Sequence, residues 1–185
     1  MIDRMRIVAI AGSLQAHSSN AALLRTAHRV APEGVDVVDA VPVGDVPPFN
    51  PDIERDGPPP EVVTALRTQI GSADGVLIAS PEYAHSLPGV LKNALDWIVG
   101  SGELYGKRVA ILCASPRPDG CAHGRGAIEQ TLRAQGSTIV VSATVGVAAA
   151  DKGSDELRDP AAIDAVGAAL AALTGSAAAP PGRSG

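Results

Sequence analysis

The chain has 185 residues, a net charge of −5, and apolar side chains at 45 % of its positions, enough for one domain with a sizeable core. Its only aromatics are Phe49, Tyr83, Trp97 and Tyr105, and no Lys/Arg cluster is dense enough to face a phosphate backbone, which excludes nucleic acid as a partner. No run approaches the ~18 apolar residues of a membrane span, and Met1–Arg6 has no signal-peptide layout, so a soluble, cytoplasmic chain is expected.

Arg6–Ile10 is a short apolar run ending at Ala11-Gly12-Ser13, and it reads as a first strand. From about Ser19 the spacing of Leu23, Leu24, Ala27 and Val30 predicts a helix. Val35–Val38 is the second strand candidate. Ala40–Pro60 holds Pro42, Pro47, Pro48, Pro51, Pro58, Pro59 and Pro60, which argues against any helix or interior strand there. Val63, Leu66 and Ile70 mark the next helix, and Gly75–Ala79 a buried third strand. Ser80–Leu87 is a loop, and Pro88 fits the first turn of a helix with Leu91, Leu95 and Ile98 on its inner face. Arg108–Ala114 is the fourth strand, Ser115–Gly124 a Pro/Gly loop, and Ala127–Gln135 a helix. Ser137–Ser142 is the fifth strand. Ile163, Val166, Leu170 and Leu173 stripe the last helix, and residues 176–185 read as a disordered tail.

Five βα units with continuously apolar strands imply helices on both faces of a parallel sheet. Right-handed crossovers then fit a flavodoxin-like open sandwich of order 2-1-3-4-5 over residues 1–175. Ligands of such sheets bind beyond the carboxyl ends of the strands, near the switch point. Three loops leave the first, third and fourth strands there.

The first, Gly12–Asn20, reads GSLQAHSSN and opens a helix. Free N–H groups and hydroxyls there can cradle a phosphate, and equally Ser and Asn can simply cap the helix. The loop lacks the lysine of a nucleoside-triphosphate P-loop and also lacks G-x-G-x-x-G.

The loop after the third strand, with its helix, reads SPEYAHSLPGVLKNALDW over Ser80–Trp97. It resembles the NADPH-dependent FMN reductase family of quinone, chromate and azo-dye reductases. The family pattern is roughly G-S-L-R-x-x-S-x-N after the first strand and P-E-Y-N-x-S-x-P-G-x-L-K-N-A-[IL]-D-W after the third. The resemblance implies an FMN site and NAD(P)H as co-substrate. Ser13, Gln15, Ser18, Ser19 and Asn20 would face the phosphate. Pro81, Glu82, Tyr83, Ala84 and His85 would border the flavin ring, and the loop from Ser115 to Gly120 would close its other side. Gln15 stands where the family usually has Arg, and Ala84 where it usually has Asn.

The chemistry would run on flavin N5, with no catalytic side chain and no metal. NAD(P)H would give a hydride and leave, and a small-molecule acceptor such as a quinone, flavin or azo compound would take the electrons. The alternative is a non-enzymatic flavodoxin-like electron carrier or FMN-binding module. A serine hydrolase is disfavoured, because G-x-S-x-G is absent. The resemblance also implies a homo-oligomer, dimer or tetramer, with the helix after Pro88 as the expected contact.

Several residues carry competing readings. His85 is either a substrate-facing or a surface histidine, and His17 is expected in solvent. Trp97 is expected to pack, and Lys92 with Asp96 to pair along a helix. Two cysteines are too few for a disulfide framework. Cys113 is expected to be an inert core thiol and Cys121 a more exposed one, neither with a redox role.

Overall fold

Short runs of Ile, Val, Leu and Ala, each closed by Gly, Ser or Pro, set the sheet. In the computed structural model, which describes residues 4–148 and 156–175, they form β1 (Met5–Ala11), β2 (Val35–Asp39), β3 (Gly75–Ala79), β4 (Arg108–Ser115) and β5 (Thr138–Gly146). All are parallel, in the order β2-β1-β3-β4-β5. The expected flavodoxin-like topology is therefore observed. The expected tail at 176–185 lies outside the described residues.

Alternation along the central strands sorts the core into two layers. Val8, Ile10, Val76, Ile78, Val109 and Ile111 face one way. They pack against α3 (Glu61–Gly71), α4 (Gly89–Val99) and α5 (Ala122–Ala134). Ile7, Ala9, Leu77, Ala79, Ala110 and Leu112 face the other way, against α1 (Ser19–Val30) and α6 (Pro160–Thr174). Much of the alanine is on this second side, where Ala22, Ala27, Ala162 and Ala169 meet the strand alanines. The chain's one tryptophan is buried on the first side.

The structure corrects the sequence reading at four places. The proline-rich segment contains a helix after all, α2 (Pro51–Asp56), besides a single 3-10 turn at Val43–Asp45. Pro51 takes its first position, where a missing N–H costs nothing, and Asn50 caps it by accepting from Asp52 N at 2.9 Å. Pro88 sits just before α4 rather than inside it. β5 runs on to Gly146. Helix α5 starts at Ala122, inside the segment expected to be loop, because a side chain from another element caps it.

The proline-rich segment is pinned from α4. Asn93 accepts from Phe49 N at 2.7 Å and donates to the carbonyls of Val46 and Pro47 at 3.1 and 2.9 Å. Trp97 donates from Nε1 to Pro47 O at 2.8 Å, and its ring meets Phe49 edge to face at 5.1 Å. The expected packing role of Trp97 is thus observed, as is the Lys92–Asp96 pair at 2.6 Å.

Candidate active site

The loops after β1, β3 and β4 lie side by side because the hydrogen-bond ladder runs one step past the strand ends. Gly12 N–H donates to Ala79 O at 2.8 Å, and Ser80 N–H to Leu112 O at 3.0 Å. The approach of the first two loops needs glycine at position 12, since a Cβ there would sit 3.0 Å from the Ser80 Cα. Together the loops enclose a cleft of about 340 Å³ at the carboxyl edge of the sheet, beside the start of α1.

Seven of the twelve expected site residues line this cleft: Ser13, Gln15, Ser18, Ser19, Asn20, Pro81 and Tyr83. Ser18 is the N-cap of α1, and its hydroxyl oxygen accepts from Ala21 N at 3.1 Å. Asn20 is buried, and its Oδ1 accepts from Ala114 N at 2.9 Å, which ties the start of α1 to the end of β4. So the capping reading of this loop holds for Ser18, while Asn20 keeps its amide N–H₂ as a donor. The side chains of Ser13, Gln15 and Ser19 make no hydrogen bond among the described residues. The cleft therefore offers uncommitted donors at the positive end of a helix, which is the donor set a phosphate requires. Among the described residues no Lys or Arg lines it. Arg125 is engaged elsewhere, with Ser142 at 3.0 and 3.1 Å.

Glu82, Ala84, His85, Ser115 and Gly120 do not line the cleft. They build its walls. Tyr83 and Ser86 exchange backbone hydrogen bonds at 3.0 and 2.9 Å around Ala84 and His85, whose φ values are 48° and 59°. Positive φ at both central residues is the type I′ pattern, which Gly and Asn favour. The turn leaves the Tyr83 side of the loop on the cleft, with that residue 50 % exposed. Ser115 is buried, and its Oγ accepts from Arg117 N at 3.1 Å. Gly120 O accepts from Thr144 Oγ1 at 2.6 Å.

Glu82 turns away from the cleft to cap α5, accepting from Gly124 N at 2.7 Å. Gly124 is small because Glu82 packs there; a Cβ would meet the Glu82 Cα at 3.0 Å. His85 Nδ1 lies 3.3 Å from the same carboxylate, and the His85 and His123 rings meet edge to face at 4.9 Å. The Gly124 N–H holds the Glu82 carboxyl below its ordinary range; burial opposes this, and His123 and His85 reinforce it. Glu82 is thus a clamp between two of the three loops.

Pro116 falls in the expected Ser115–Gly120 loop, while four cleft residues were not singled out by the sequence: His17, Ala114, Val147 and Ala148. His17 was expected in solvent, and the others are featureless until β4 and β5 are placed side by side. The cysteine reading is also overturned. Cys113 is not a free thiol; it forms a disulfide with Cys121, the Cα atoms 6.3 Å apart. The β4–α5 loop folds back on itself and brings together two residues that sequence places eight apart.

A family model described as NADPH-dependent FMN reductase matches residues 5–152. The chain belongs to the NADPH-dependent FMN reductase family. It is 38 % identical over 117 residues to a quinone reductase of Escherichia coli strain K12, a stretch that is 62 % of each chain. The match thus spans less than two thirds of that relative's length. It is 39 % identical over 134 residues to an NAD(P)H-dependent FMN reductase of Pseudomonas aeruginosa, 71 % of each chain. Among solved structures, it resembles FerB, a flavoenzyme NAD(P)H:(acceptor) oxidoreductase of Paracoccus denitrificans. That likeness has a TM-score of 0.75 and 26 % identity, covering 92 % of this chain and 98 % of that one. Among the described residues of this family member, no helix is long and apolar enough to cross a membrane. No group of three or more His, Cys, Asp or Glu among them is placed to hold a metal.

Proposed function

We propose that the chain is an FMN-dependent NAD(P)H oxidoreductase that reduces quinones and related small-molecule acceptors. The observation that carries this reading is the meeting, in one cleft, of the hydroxyl-rich start of α1 and the Pro81–Tyr83 edge of the β3–α4 loop. The relatives named as a quinone reductase and an NAD(P)H-dependent FMN reductase support the same activity.

Ser13, Ser18, Ser19 and Asn20 would hold the FMN phosphate by donated hydrogen bonds, with the helix N-terminus supplying partial positive charge. Gln15 would add one neutral donor in place of a charged fork. Pro81, Tyr83, Ala114 and Pro116 would border the ring. FMN held there would supply the redox chemistry, hydride transfer from NAD(P)H and then electron transfer to the acceptor in ping-pong order. The protein's own part is to bind, orient and partly shield the flavin. No side chain at the cleft is asked to move a proton. Tyr83, at the mouth, presents an aromatic face to the second substrate.

We place the activity in the cytoplasm and expect a homo-oligomer, with α4 at the contact. Val99, at the end of α4, is an exposed aliphatic that such a contact would cover. Light scattering at several concentrations tests the assembly; a monomer throughout would exclude it. The test of cofactor binding is a titration of FMN followed by its fluorescence. Quenching to a one-to-one end point is expected, and fluorescence unaltered by excess protein would refute the reading.

A further inference from the structure

The cleft chemistry leaves the Cys113–Cys121 disulfide unused. Cys113 is in β4 and only 1 % exposed, while Cys121 is half-buried and immediately precedes α5. The bond closes residues 114–120 into a loop. The two sulfurs lie 3.8 and 3.9 Å from the Ala114 carbonyl oxygen, and Ala114 and Pro116 line the cleft. The disulfide therefore stands directly behind the cleft wall.

Its two ends differ chemically. Cys121 is the N-cap residue of a thirteen-residue helix. The dipole of α5 favours a thiolate there and the Glu82 carboxylate, which takes the Gly124 N–H, opposes it, so accessibility rather than thiolate stabilisation sets the two ends apart. Cys113 is held by β4 in the core, sheltered from external thiols and positioned to close the bond again. An accessible sulfur at a helix start with a buried partner is an arrangement suited to exchange rather than to permanent stapling.

We propose that Cys113 and Cys121 form a reversible thiol–disulfide exchange site, and that its state sets how firmly loop 114–120 is held against the cleft. Its substrates are thiols, most effectively protein or small-molecule dithiols. A dithiol's thiolate attacks Cys121 Sγ, the S–S bond breaks, and Cys113 leaves and takes a proton. The second thiol of the reagent then displaces Cys121. Two electrons and two protons pass to the protein, and the reagent becomes a disulfide. A disulfide oxidant runs the sequence in reverse.

Without the bond, the loop retains the Asn20 Oδ1–Ala114 N contact at one end and the Thr144 Oγ1–Gly120 O contact at the other. The loop then samples more conformations, and a ligand of the cleft has to order it. The effect on flavin affinity rests on the function proposed above; the exchange itself does not.

The full-length protein, free of flavin, is treated either with dithiothreitol or with oxidised glutathione. Alkylation and mass spectrometry then count free thiols, and peptide hydrogen exchange follows residues 114–121. Two alkylated cysteines in the reduced form, none in the oxidised form, and faster exchange confined to this loop on reduction are expected. FMN affinity should fall roughly tenfold on reduction, about the cost of ordering one residue. Cys121→Ser, which keeps only Cys113, should match the reduced protein in loop exchange and FMN affinity under both treatments. Two free thiols after oxidation, or loop exchange indifferent to treatment, would overturn the proposal. So would FMN affinity that is equal in both states. FMN that binds neither form would instead defeat the flavin reading, with thiol counts and exchange still deciding the exchange site.

Discussion

Ala84 and His85 both hold left-handed backbone angles, yet neither is a glycine or an asparagine. For an ordinary residue that conformation costs on the order of 1–2 kcal/mol. Ala84→Gly, or Ala84→Asn as in the usual family pattern, is therefore expected to stabilise the fold by about 1 kcal/mol. The thermal midpoint should rise by roughly 2–4 °C in calorimetry. Gln15 is a second departure with a direction attached. Gln15→Arg places a charged donor in a cleft that no Lys or Arg lines among the described residues, and should tighten FMN binding about tenfold, as charge-assisted hydrogen bonds do. Isothermal titration measures it. Glu82 carries a pH dependence. Its carboxyl is held below the ordinary range, so its stabilisation is complete above the unfolded-state pKa and fades as pH falls through the lower native one. Glu82→Gln should cost about 1 kcal/mol at neutral pH, the worth of a good cap. Urea denaturation of the variant and the natural protein should converge in acid. A gap that persisted there would assign Glu82 a packing role instead.

Helix α4 holds the proline-rich segment in place. Its Asn93 satisfies three backbone groups of the proline-rich segment. Asn93→Ala strands a partly buried Phe49 N–H and the Val46 carbonyl, while Pro47 O keeps Trp97 Nε1, and is expected to cost about 2 kcal/mol in denaturant unfolding. A change below half a kcal/mol would mean that water replaces the amide freely. The segment KNALDW was recognisable in the sequence as a family signal, and the packing role of Trp97 was expected; that Asn93 pins the proline-rich segment was not legible. Strands β1, β3 and β4 were legible because buried parallel strands are continuously apolar. Helix α2 was not, since seven prolines between residues 42 and 60 mask the one that starts it. The start of α5 was hidden for a different reason: AHGRG reads as loop until Glu82 arrives from forty residues away. The Tyr83–Ser86 turn had no signature at all, because Ala-His carries none of the turn chemistry that Asn-Gly would.

The whole molecule follows from its topology. A parallel sheet of order 2-1-3-4-5 brings three loop ends to one edge, and the cleft forms where they meet. Sequence placed the Ser13–Asn20 side of that cleft, since local pattern and helix start coincide there. It could not place Ala114, Val147 and Ala148, which contribute only by position in the assembled sheet. The cysteine pair was likewise invisible, being a product of loop geometry rather than of count. One measurement separates an NAD(P)H oxidoreductase from a flavodoxin-like carrier or a simple FMN-binding module. Stoichiometric FMN is loaded, oxygen removed, and NADPH or NADH mixed in a stopped-flow spectrometer with no other protein present. The visible flavin band should bleach with saturable dependence on the nucleotide and return when a quinone is added. Bound flavin that both nucleotides leave oxidised would contradict the account.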